Sequence, residues 1–132
     1  MFTGVNGFAQ RLPASKVPAT VISTFGKNFP GIKDAKWEKE KGHYEADFKQ
    51  GDKPMAALFD ANGALLETET GIEVSALPLQ VKDYLSANYT GSKVKEAAKL
   101  VLANGETNYE AEVKGIDLIF DANGRFIRKE KG

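Results

Sequence analysis

"FDANG" stands at residues 59–63 and again at 120–124 of a 132-residue chain, each time between apolar residues: "LFDANGALL" (58–66) and "IFDANGRFI" (119–127). Working outward, the likeness continues. "VPATVISTFGKNFPGIK" (17–33) lines up with "LPLQVKDYLSANYTGSK" (77–93) at a constant offset, and "HYEADF" (43–48) lines up with "NYEAEV" (108–113). The offset changes only between the matched blocks, where loops of unequal length belong. The chain is therefore one unit written twice, 12–72 and 73–132, preceded by residues 1–11.

Each unit opens with a helix. Pro18 and Pro78 sit where a missing N–H costs nothing, and Val21, Phe25 and Phe29 recur at four-residue spacing, as do Val81, Leu85 and Tyr89. Pro30-Gly31 and Thr90-Gly91 end the two helices. The period then becomes two. Tyr44, Ala46 and Phe48 alternate with Glu45 and Asp47; Tyr109, Ala111 and Val113 alternate with Glu110 and Glu112. These are half-buried strands, apolar toward the helix and acidic toward water. Turn residues at Lys41-Gly42, Gly51-Asp52, Asn104-Gly105, Lys114-Gly115 and the two Asn-Gly steps predict four antiparallel strands per unit. The expected fold is α+β: one continuous curved sheet with two helices on one face.

Composition narrows the function. There are no cysteines, which removes disulfides and thiolate chemistry. Eighteen basic and eighteen acidic residues give no net charge, without the basic face that nucleic acid requires. No run reaches the roughly eighteen apolar residues of a membrane span, so no membrane insertion is expected. "MFTGVNGFAQ" carries small residues at Gly7 and Ala9 before Gln10, so residues 1–11 read either as an export-signal remnant or as a flexible N-terminus. His43 is the lone histidine, and no nucleophile elbow, phosphate loop or His-pair motif occurs; no catalytic residue is expected.

A Leu-Pro step opening an amphipathic helix, the "NFPG" stop, Trp37-Glu38, "YEADF" and "LFDANGALLETE" together resemble the bacterial exported PepSY-like domains grouped as similar to the beta-lactamase inhibitory protein. The resemblance covers nearly the whole chain after Leu12. It implies a tandem helix-plus-antiparallel-sheet fold, residence in the periplasm or outside the cell, and a binding or inhibitory role. The second copy departs from the pattern: Trp37 has no aromatic counterpart near Ala97, and the stop there is Tyr-Thr-Gly.

Two sets of candidate site residues follow. Asp60, Asn62, Asp121 and Asn123 read as tight turns, since Asp and Asn bond their own backbone there; the alternative is calcium, with Glu69 and Glu130 six positions past each Gly at the spacing of a closing carboxylate. The second set belongs to the helix-free sheet face. Glu45, Asp47, Glu110 and Glu112 point away from the helices by alternation, with nearby lysines expected to neutralise them in solvent. Leu58 and Ile119 fall out of phase with Phe59 and Phe120 and join that face, with His43 at its edge. Trp37 either anchors a partner there or packs beneath the first helix. The expected partner is another exported protein or peptide, and the expected cofactor is none, with calcium as the alternative. Oligomeric state is left open.

Overall fold

Pro18 and Pro78 sit immediately before the two helices, α1 (Ala19–Asn28) and α2 (Leu79–Asn88), in extended conformation with φ near −55°. Each proline carbonyl accepts the first N–H bonds of its helix, from Val21 and Ile22 and from Val81 and Lys82. The helices end where Phe29 and Tyr89 close on the carbonyls of Phe25 and Leu85, and the chain turns through Gly31 and Gly91 at positive φ.

The computed structural model describes residues 10–131. Nine strands form one antiparallel sheet in chain order: β1 (Gln10–Leu12), β2 (Lys36–Glu40), β3 (His43–Gln50), β4 (Lys53–Phe59), β5 (Leu65–Ile72), β6 (Val94–Leu102), β7 (Thr107–Val113), β8 (Ile116–Asp121) and β9 (Phe126–Lys131). Helix α1 falls between β1 and β2, and α2 between β5 and β6. No helix among the described residues is long and apolar enough to cross a membrane. Strand β1, which pairs Leu12 with Trp37, carries no alternation or turn signal of its own. Gln10 and Arg11, read above as part of a signal remnant or loose terminus, are strand; the rest of that reading concerns residues outside the described range.

Register shows that both helices cover the same face. Ala57, packed under α1, pairs with Thr68, which pairs with Val101, and Val101 shares its strand face with Ala97, packed under α2. Under α1, Phe25 meets Trp37, Phe48 and Phe59 at ring separations of 5.1 to 6.3 Å. Under α2, Tyr84, Phe120 and Phe126 form a smaller aromatic group. Phe59 and Phe120 are fully buried.

The two FDANG segments connect β4 to β5 and β8 to β9, each just after a strand irregularity at Leu58/Phe59 or Ile119/Phe120. Inside each turn the Asp carboxylate accepts two backbone N–H bonds at 2.9 to 3.0 Å, Asp60 from Asn62 and Ala64, Asp121 from Asn123 and Arg125. Gly63 and Gly124 then press on the first turns of the helices: a Cβ at 63 would lie 2.9 Å from Cβ of Thr20, and one at 124 would collide with Gln80. The motif recurs because the same hairpin tip twice serves as a helix seat.

Candidate functional site

The helix-free face curls into a trough. A cavity of about 580 Å³ is lined at once by Glu38 of β2 and Glu130 of β9. Those strands are seven steps apart in the sheet, which would separate them by roughly 34 Å if it were flat. Coiling of the twisted sheet closes that distance. Leu58, Leu100 and Ile119 line the same cavity, with carboxylates from β2, β3, β5, β7 and β9 around them. Lys41, Arg128 and Lys131 bring positive charge to its lining.

Strand alternation placed Glu45, Asp47, Glu110, Glu112, Leu58 and Ile119 on this face, and the register agrees: Glu45 opposes Leu58, and Glu110 opposes Ile119. His43 is exposed and also lines the cavity. The expectation that these carboxylates face water is corrected for Glu45, Glu110 and Glu112. Glu45 is 8% exposed, Glu110 4% and Glu112 7%. Curvature brings neighbouring strands over them, so facing away from the helices is not facing bulk water.

Trp37 is also corrected as an open-face residue. It is 3% exposed and packs edge-on to Phe25 at 5.3 Å. Its cross-strand partner is the inward-facing Ala46, so the outward place on β2 belongs to Glu38. Glu38 was missed by the sequence reading, as were Glu67, Leu100 and Asp117; the usable signal for Asp117 was its two-residue phase with Ile119. The turn residues Asp60, Asn62, Asp121 and Asn123 stay at the hairpin tips, their Asp carboxylates engaged by backbone. Glu69 and Glu130 line the trough instead. Glu69 sits opposite Ala56 in mid-sheet, so it does not close a loop around Asp60.

The electrostatics are unusual for so many acids. Burial, reinforced by Asp47, pushes the Glu45 carboxyl far above the ordinary range. Burial does the same to Glu110, with Glu69 adding repulsion, and raises Asp117, where Glu112 adds to the effect. Glu38, Asp47 and Glu67 are raised by burial too. Oxygens of Glu38, Glu45, Asp47, Glu110 and Asp117 are buried without a hydrogen-bond partner. A carboxylate in that position calls for a proton or a cation.

Among curated proteins none matches the chain significantly. Several solved structures do. A protein from Bacteroides eggerthii described as a "putative periplasmic" protein superposes with a TM-score of 0.77 at 16% identity, covering 86% of this chain and 88% of its own. A DUF2874 family protein from Bacteroides uniformis gives 0.75 at 21%, with the same coverage. A BLIP-like protein from Bacteroides fragilis gives 0.69 at 25%, covering 90% of this chain and 86% of its own. The model of the family described as "Putative beta-lactamase-inhibitor-like, PepSY-like" matches residues 4–67 and 42–128, and the chain belongs to that family.

Proposed function

We propose that this chain is a non-enzymatic, exported binding module that takes a lysine- or arginine-bearing segment of another protein into the trough on its helix-free face. The observation that carries the reading is the trough itself: an apolar floor of Leu58, Leu100 and Ile119 surrounded by buried carboxylates that lack donors. A long basic side chain suits such a place, since its methylene stem lies on the floor and its cationic head supplies the missing donors. Membership of an inhibitor-like family and likeness to a protein described as periplasmic support export and a binding role.

The test is selection from a library of extended peptides on the immobilised chain, run in parallel on Leu58→Arg, a change at a partly exposed floor position. Enrichment of Lys and Arg on the wild type, lost on the variant and weakened by salt, is the expected result. Peptides without basic enrichment, or equal retention by both proteins, would remove the reading.

A further inference from the structure

Glu38 and Glu45 face each other directly across β2 and β3, and Asp47 lies two residues along on the same face. Like charges directly opposite are unfavourable on a sheet, and here a third is added. One ligand oxygen from each of the three lies within 4.8 Å of the others, and among the described residues no other group of three comes so close. Glu38 and Glu45 are more than nine-tenths buried. Glu38 Oε1, Glu45 Oε2 and Asp47 Oδ1 have no hydrogen-bond partner, while Arg11 approaches only the other oxygen of Glu38, at 3.6 Å.

We infer that Glu38, Glu45 and Asp47 form a calcium site at the first-repeat end of the trough. Calcium binds oxygen at 2.3 to 2.6 Å, and three oxygens that all lie within 4.8 Å of one another are close enough to share one such ion. Magnesium requires about 2.1 Å in a strict octahedron and sheds water reluctantly, so a cluster of three protein carboxyl groups favours calcium. Each of the three carboxyl groups offers an oxygen without a hydrogen-bond partner, and water from the trough completes the coordination. The ligands come from two paired strands, so their positions are set before the ion arrives.

The second repeat lacks this site for a stated reason. Glu110 corresponds to Glu45 and Glu112 to Asp47, but the residue opposite Glu110 is Ala98. One ion per chain is therefore expected. The calcium titration uses no peptide, so this inference and the peptide reading fail separately.

Calorimetric titration of the full 132-residue chain with calcium chloride at pH 7.5 is the direct test. Expected are one ion per chain with Kd below about 1 mM, a raised thermal midpoint and weaker binding of magnesium. Glu45→Gln should cut calcium affinity at least tenfold, with folding verified by circular dichroism, while Glu110→Gln should leave it within twofold. Absence of heat and of a midpoint shift at 10 mM calcium in the wild type would overturn the site without reference to any variant. So would two ions per chain, or equal loss in Glu45→Gln and Glu110→Gln.

Discussion

Glu110 on β7 and Asp117 on β8 share one sheet face on a diagonal, Glu110 opposite Ile119 and Asp117 opposite Glu112, and Glu110 Oε1 and both oxygens of Asp117 are buried without a hydrogen-bond partner. Burial raises both carboxyl groups, so the folded chain holds their protons to higher pH than an unfolded chain would.

Stability should therefore fall as pH rises. A carboxyl whose folded pKa lies above its unfolded value stabilises the fold fully below the unfolded pKa, and that contribution is lost as pH climbs to the folded one. For Asp117 the window runs from its ordinary 3.8 to about 6, and for Glu110 from 4.5 to about 10. Thermal midpoints measured in chelator should be highest near pH 4.5 and several degrees lower at pH 8, since roughly 1 kcal/mol shifts the midpoint of a domain this size by about 4 °C. Glu110→Gln, which keeps the shape and cannot ionise, should flatten the slope. A midpoint that climbs from pH 5 to 8 would show these groups to be ordinary solvated acids.

The seats of the helices give a second prediction. Gly63→Ala places a Cβ against Thr20 while holding φ near +93°, and Gly124→Ala does the same against Gln80 at +86°. Each should destabilise by more than the roughly 1 kcal/mol of a positive-φ glycine alone, because the helix must also move. Gly51→Ala, at φ +63° with open space around it, is the control and should lose only the backbone share. Chemical denaturation of the three variants separates the two effects; equal losses would mean the hairpin tips do not bear on the helices.

These positions also show what the sequence could reveal. Phe59 and Phe120 announced themselves by the repeated pentapeptide, and the helix stripes by their four-residue period, because both are local patterns. The phase of Glu45 was legible for the same reason. Its burial was not, since that depends on the curl of nine strands. Trp37 and Glu38 are neighbours, so one of them must face the helices; only the pairing of Trp37 with Ala46 decides which. The carboxylate trio was hidden for a related reason, as Glu38 reaches Glu45 across a strand pair and carries no spacing signature. The side of the sheet could be read residue by residue, whereas the company each side chain keeps there could not.

Trp37→Ala should behave as a core deletion. Its ring touches Phe25 and Phe59 at 5.3 and 6.0 Å, and truncation should cost about 3 to 5 kcal/mol in urea unfolding. A loss below 1 kcal/mol would mean that the aromatic group under α1 repacks around the void.

Arg11 tests the electrostatics of the proposed calcium site from outside it. Its side chain is 62% exposed and lies 3.6 Å from Glu38, so as an ion pair it contributes about 0 to 1 kcal/mol to stability. Toward an incoming cation it acts in two unfavourable ways, by repelling the ion and by occupying an oxygen of Glu38. Arg11→Gln should leave the thermal midpoint in chelator within about 2 °C and raise calcium affinity about three- to tenfold, with the larger gain at low ionic strength, where screening is weakest. Titrations at 20 and 200 mM salt decide it. If affinity falls instead, Arg11 is needed to keep β1 against β2 and hold Glu38 in place, and the main role of the ion pair is positional rather than competitive.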